Sequence, residues 1–460
     1  NNIVRSALNS VGKLFLSQEL GTEWSKRLQL MPTFQALLAL SLDLRPKVRH
    51  EVIEVFGKLF RKSNEGDAEA YNNAVAHQIS SSVKRFVEQQ LTSEDSRKDP
   101  KTVSHLFNAL EPLIGFLTPL KPLLSQLLRL IIHTMTELEA SRKSGYALLS
   151  HLFSHRPTRL SPKVLVDELF HGTTIELLAP PLQQQDTYSI TSFCEMLFHA
   201  TILLLEMDRK EEFDPLILPK TIKSILNFFP SANNSTLEPL SLAIEILIQN
   251  CVDEMMRVRL EQALSAGDVS ATALDHILHS LKDCLGYQYQ FSWGHILLLI
   301  AQTFVATGRA CCDLPVTKSI LATVEEIMKD EAQAEHRPQA TRVIVGALKA
   351  SGATKLLQIL PLNLQLAPGH PQRREWLLPL LNQYTRGSSL PDFETLIMPD
   401  IQRILPLLSR APNQILPSLY KQLWSLFPAF CRDSSSSARG FKSLAKVLGL
   451  SLKDQPAVRS

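Results

Sequence analysis

Apolar residues recur at helical spacing along the whole of this chain, and no stretch alternates between glycine turns as strands do. The segment PKVRHEVIEVFGKLFRKS shows the pattern: Val48, Val52, Val55, Phe56 and Leu59 fall at i, i+4, i+7, i+8 and i+11. One helical stripe holds all five, with Arg49, Glu51, Glu54 and Lys58 largely on other faces. Pro46 stands where that helix should begin, at a position whose N–H has no intrahelical partner in any case. Such a pattern gives a sheet no support and predicts an all-α fold.

Roughly twenty segments of this kind, each about 10 to 20 residues long, are joined by breaks of the length usual between packed helices. SAGDVS, TGRACCDLP, APGHP and RGSSLPD are clear breaks. KSNEGDAEAYNN, around Gly66, reads as a polar loop, and DSSSSARG at 433–440 as a flexible connector. Taken in pairs, such helices repeat every 40 to 47 residues or so, roughly the HEAT and armadillo period. SLDLRPKVRHEV carries the order of a HEAT inter-helix turn in Asp43, Pro46, Val48 and Arg49, and ILPL recurs at 359–362 and 404–407, 45 residues apart. The predicted architecture is a HEAT/armadillo-type α-solenoid, a curved superhelical array of about ten helical pairs. A generic stack of helical hairpins is the alternative. The 27 prolines fit such an array at first turns or at bends, since inside a straight helix each removes a backbone hydrogen bond.

With 45% hydrophobic and 20% charged residues the chain can fill a continuous core. Its longest apolar run, HILLLIAQTFVA at 295–306, falls short of the roughly 18 residues of a membrane span, so no membrane association is expected. The chain opens at Asn1 inside a helical pattern, which reads as a piece of a longer protein. The six cysteines form no CxxC pair and suggest a reducing compartment. No constellation for catalysis emerges. SGATK lacks the second glycine of a phosphate loop, and neither GxSxG nor HExxH occurs. His151 and His155 share a helix face at metal-ligand spacing but lack a third ligand. Cys311 and Cys312 read as small core residues, and the acidic run VEEIMKDEAQAE as a solvated helix face. A chain of this kind is expected to be no enzyme and to need no cofactor or metal.

Charge is distributed unevenly. Residues 337–460 hold 16 Lys/Arg against 6 Asp/Glu, a balance of +10, whereas the remainder holds 32 against 39, a balance of −7. A polyanion-facing end on an acidic body follows. In ARGFKSLAKVLGLSL, Phe441, Leu444 and Leu448 define one stripe, and Arg439, Lys442 and Lys446 at i, i+3 and i+7 define the opposite one. With Arg373, Arg374, Arg386, Arg403 and Arg410 they make the candidate RNA-binding set, eight cations able to neutralise phosphates without reading sequence. The expected organisation is a HEAT arm over 1–353 and a basic HEAT segment over 354–460 in one continuous solenoid.

The blocks ILPLNL (359–364), REWLLPLLNQY (374–384), LPDFETLIMPDI, LYKQLWSLFPAFC (419–431) and FKSLAKVLGLSL resemble, in order and separation, the HEAT segment of the ribosomal-RNA-processing protein 12 family. The resemblance covers about residues 354–452. It departs from the family where DSSSSA replaces a Pro-x-Asp turn. It implies a non-enzymatic ribosome biogenesis factor of the nucleus and nucleolus, shuttling to the cytoplasm. Its partners would be pre-ribosomal RNA, assembly factors and ribosomal proteins, with a link to Ran and karyopherins in subunit export. Trp376, Leu377, Leu378, Trp424 and Phe427 would then be core residues. A karyopherin-like transport receptor or another HEAT interaction scaffold is the competing reading, and the basic end argues against the former.

Overall fold

A computed structural model describes residues 2–17, 30–64, 73–92, 99–113, 121–155, 160–181, 186–207, 216–408 and 415–433, with positions 445 and 449. All the regular structure among them is helical. Internal contacts divide the chain into two units, 1–243 and 244–460. The first contains α1 (Asn2–Ser17), α2 (Leu30–Leu40), α3 (Pro46–Asn64), α4 (Asn73–Thr92), α5 (Pro100–Leu110) and α6 (Lys121–Glu137). It continues with α7 (Arg142–Ser154), two short helices α8 (Pro162–Leu165) and α9 (Thr174–Leu178), α10 (Thr187–Met207) and α11 (Ile217–Leu226). The division falls within α12 (Asn234–Cys251). The second unit contains α13 (Glu254–Ala266), α14 (Ala273–Asp283), α15 (Trp293–Thr307), α16 (Pro315–Lys329) and α17 (Arg337–Ile359). After these come α18 (Leu377–Tyr384), α19 (Leu390–Leu396), α20 (Met398–Leu408) and α21 (Ile415–Cys431).

Within each unit, helices one repeat apart pack against each other, two helices along in sequence or three where the short α8 and α9 intervene. In the first, α1 lies on α3, α2 on α4, α5 on α7 and α7 on α10, with starting residues 44, 43, 42 and 45 positions apart. In the second, α14 lies on α16 and α15 on α17, at offsets of 42 and 44. Two layers, each a stack of alternate helices at this period, are what repeated helical pairs produce. The ILPL recurrence has a different origin. Its first copy leaves the end of α17 into extended backbone, whereas the second lies inside α20 with Pro406 in the helix, so the two are not equivalent repeat positions.

The α3 stripe is core: Val48, Val52, Val55 and Phe56 are all buried, while the side chain of Leu59 lies outside the described set. The turn that starts α3 is clamped by its own charges. Arg45 donates to both carboxylate oxygens of Asp43, at 2.8 and 2.7 Å, and Arg49 reaches the Asp43 carbonyl oxygen at 2.6 Å. The side-chain hydrogen bond from Arg45 holds the Asp43 carboxyl down at about 2. Prolines open α3, α5, α8, α16, α17 and α19 at a first or second position, and Pro239, Pro406 and Pro428 sit inside helices. Gly267, at φ 81°, closes α13 in the left-handed conformation that glycine adopts without penalty. Most of Gly66's loop, at 65–72, and of the 433–440 connector, at 434–440, lie outside the described residues.

Two segments, Thr187–Met207 and Tyr287–Asp313, have the length and hydropathy of a membrane span, contrary to the expectation from the apolar run alone. More than half of each is buried within the protein's own helices, the role of a core helix in a stacked array. Aromatic contacts mark both cores. Phe193 touches Tyr146 and Phe228 at centroid distances of 5.4 and 5.8 Å in the first unit. In the second, Phe393 meets Trp424, Phe427 and Phe430 at 6.1, 5.4 and 5.6 Å. Leu377, Leu378 and Trp424 are buried as expected, whereas Trp376 and Phe427 are half-buried.

Candidate nucleic-acid interface

The arginines that open the WLLPLL helix do not face solvent. Arg374 is buried, and its guanidinium grips both oxygens of Glu325 on α16, Nε to Oε1 at 2.8 Å and Nη2 to Oε2 at 2.9 Å. Its Nη1 donates to the Pro361 carbonyl at 2.8 Å. Arg373 donates from Nη1 to Leu366 O at 2.6 Å and pairs with Glu375. Arg374 fastens the non-helical stretch 360–376 onto α16, while Arg373 ties the stretch to itself. Expected as RNA ligands, both are corrected to structural clamps, because every cationic prong is already spent on protein acceptors. Glu325 is corrected with them. It is a buried counter-ion, bonded also to Lys329 at 2.7 Å, not part of a solvated face.

Two of the eight candidates are exposed and described. Arg386 lies 3.8 Å from Asp433, and Arg403 donates to Asp400 at 2.8 Å, one helical turn back. The Arg386 pair is exposed on both sides and holds little energy, so that guanidinium can exchange its carboxylate for a phosphate at small cost, whereas Arg403 is exposed but its partner Asp400 is largely buried. Arg410, Arg439, Lys442 and Lys446 lie outside the described residues. Besides Lys421 on α21, the described surface of the basic end holds three exposed cations on α17: Arg337, Arg342 and Lys349. The last two are seven residues apart and so share a helix face, and Lys349 sits 5.3 Å from the Tyr384 ring centroid. Their i, i+7 spacing was available in the sequence, hidden by the apolar residues between them.

The groups that resembled reactive centres are built into helix packing. The Cys311 thiol is raised well above its ordinary range by burial, a poor state for a nucleophile, while its hydrogen bond lowers Cys312. The backbone N–H of Cys312 donates to Ser351 Oγ at 3.1 Å, tying its turn to α17. His151 and His155 stack edge to face at 4.2 Å, with His155 Nδ1 2.8 Å from the His151 carbonyl at the end of α7. Burial and the neighbouring His155 keep the His151 imidazole pKa low. No three metal-capable side chains gather among the described residues.

Two family profiles match the chain. "Ribosomal RNA-processing protein 12, HEAT repeats" covers residues 231–460, and "RRP12-like, N-terminal HEAT repeats" covers 1–140. Among curated proteins, the RRP12-like protein of Gallus gallus is 24% identical over 99% of the chain, and that of Homo sapiens 21% over all of it. Ribosomal RNA-processing protein 12 of Saccharomyces cerevisiae is 28% identical over 109 residues, which are 23% of this chain and 9% of that protein. The chain spans about a third of the length of the two animal relatives, 35% in each. The two-layer stacking, the repeat offset and the matched HEAT segments agree on an all-α solenoid. The chain belongs to the ribosomal RNA-processing protein 12 family of HEAT-repeat proteins.

Proposed function

We propose that this chain is a non-enzymatic scaffold of ribosome biogenesis. It binds pre-ribosomal particles through pre-ribosomal RNA, assembly factors and ribosomal proteins, and does so in the nucleus and nucleolus. The observation that carries this reading is the coincidence of two features in one stretch. The ribosomal RNA-processing HEAT profile spans 231–460, and the basic excess of the sequence lies within it. A helical array offers many exposed side chains and no cleft of its own chemistry, which suits holding an RNA–protein particle better than transforming one. The RNA-facing cations are Arg386 and Arg403 with Arg337 and Arg342, and, on sequence alone, Arg410, Arg439, Lys442 and Lys446. Roles in small-subunit maturation and nuclear export, including contact with Ran and karyopherins, extend the same proposal.

Sedimentation tests it. In a sucrose gradient of nuclear extract, the full-length protein carrying this chain should travel with particles that contain ribosomal RNA precursors. Ribonuclease treatment should return it to the top. Migration as free protein with the precursors intact would contradict the proposal.

A further inference from the structure

The second unit carries a groove of about 900 Å³ bounded by α12, α15, α17 and α18. Its floor is built from Ile248 on α12, Leu298, Ala301 and Val305 on α15, Val345 and Gly346 on α17, and Leu380 on α18. These floor residues are aliphatic, and Val305 is half exposed within them (51%). Gly346 sets how close the floor is drawn, since a Cβ there would lie 2.7 Å from the Ala301 carbonyl oxygen. Three cations stand along the lining, Arg257, Arg342 and Lys349, and no carboxylate lines the groove. Arg257 is held by the Ala306 carbonyl at 2.8 Å and by the Glu254 carboxylate at 3.0 Å, so Arg342 and Lys349 carry the groove's excess charge. The amide oxygen of Gln302, in the same wall, has no hydrogen-bond partner among the described residues. A turn of the Gln302 amide would offer that acceptor to an occupant's N–H.

We propose that this groove docks an acidic segment of a partner protein that carries apolar side chains at intervals. Cations with an aliphatic floor between them match carboxylates alternating with Leu, Ile or Phe, the pattern of a helix or strand laid into a groove. The excess of positive charge left by Arg342 and Lys349 also steers an acidic partner and repels a basic one. Single-stranded RNA fits less well. Bases stack on aromatic or guanidinium planes, and here the one aromatic ring, Tyr384, is covered by Lys349 and the Arg257 guanidinium is bonded to Ala306 and Glu254, which leaves Arg342 alone to stack on. Phosphates, moreover, gain nothing from aliphatic surface. The inference concerns a protein partner and shares only Arg342 with the RNA contacts proposed above, so the peptide and the oligouridine below tell the two readings apart.

Fluorescence anisotropy with the full chain tests it, using a labelled peptide of about 18 residues with Leu or Phe at every third or fourth position and Asp or Glu elsewhere. The peptide should bind saturably, and Arg342→Glu with Lys349→Glu should weaken it about tenfold or more. Both positions are exposed, so helicity and melting should not change. A peptide with Lys for every acid should bind the double variant better than the parent. Val305→Glu should weaken the acidic peptide while removing no cation, and replacing its Leu and Phe by Ser should do likewise. The proposal fails if the double variant binds within about twofold of the parent, or if the Ser peptide binds as tightly as the original. It fails equally if an oligouridine of about 12 nucleotides, and not the peptide, is what these substitutions release.

Discussion

Glu325 stands between two cations, the Arg374 fork that arrives from 49 residues away and the Lys329 ammonium one turn along its own helix. Burial alone would push its carboxyl up, but the hydrogen bonds from Arg374 and Lys329 outweigh that and hold it below the usual range. A carboxyl whose folded pKa is depressed stabilises the fold above the unfolded value and loses that contribution as the pH falls through the folded one. Arg374→Met should therefore cost about 3 kcal/mol near neutral pH, because the carboxylate stays buried with only Lys329 for company. Its deficit against the parent should shrink in denaturant titrations below about pH 4, and Glu325→Leu added to it should restore much of the loss. A deficit of the same size at both pH values would show that the pair is not what holds the 360–376 stretch. Local pattern could not reveal this role. Two adjacent arginines before a helix look the same whether they face water or a carboxylate brought close by the fold, and only the fold decides.

The contact between α15 and α17 turns on one missing side chain. In a helix interior alanine is favoured over glycine by about 1 kcal/mol. At Gly346 the added methyl would meet Ala301 backbone, its oxygen at 2.7 Å and its Cα at 3.1 Å, which cannot swing aside. Gly346→Ala should cost a net 1 to 3 kcal/mol or so, as overpacking does. At Gly145 the added methyl meets the side chain of the buried Met135, which can change rotamer where backbone cannot, so Gly145→Ala should cost less than Gly346→Ala. Chemical denaturation of the two variants separates them; equal effects would mean that α17 has room to shift. Elements were the most legible level of this chain, because a stripe such as Val48, Val52, Val55 and Phe56 is written at a local period of 3.6 residues. The Asp43 turn was legible for the same reason, its clamp lying within six residues. ILPL misled because a repeated string need not occupy a repeated place: one copy ends a helix and the other continues through one. The repeat is carried by the helix offset, which tolerates any apolar sequence.

At the scale of the whole molecule, charge and contact divide the chain differently. Contacts part it at 243/244, while the charge balance changes sign in the neighbourhood of Arg337, and the border expected at 353/354 lies beside Gly352, the non-helical residue inside α17. Of the eight cations expected to meet RNA, the fold withdraws Arg373 and Arg374 and leaves Arg386 and Arg403 exposed. Arg439, Lys442 and Lys446 then form the densest run of the original set in the sequence, so contact between the basic end and RNA backbone is tested there. The measurement is the salt dependence of the full chain's affinity for a structured RNA. The log–log slope should be roughly −0.7 to −0.9 for each phosphate contacted. Arg439→Glu, Lys442→Glu and Lys446→Glu together should lower affinity and flatten the slope by about one unit per lost contact, with helicity intact. Lys13→Glu, Lys26→Glu and Arg27→Glu, in the acidic remainder, should do much less. Equal losses from the two triplets, or none from the first, would contradict an RNA-facing basic end.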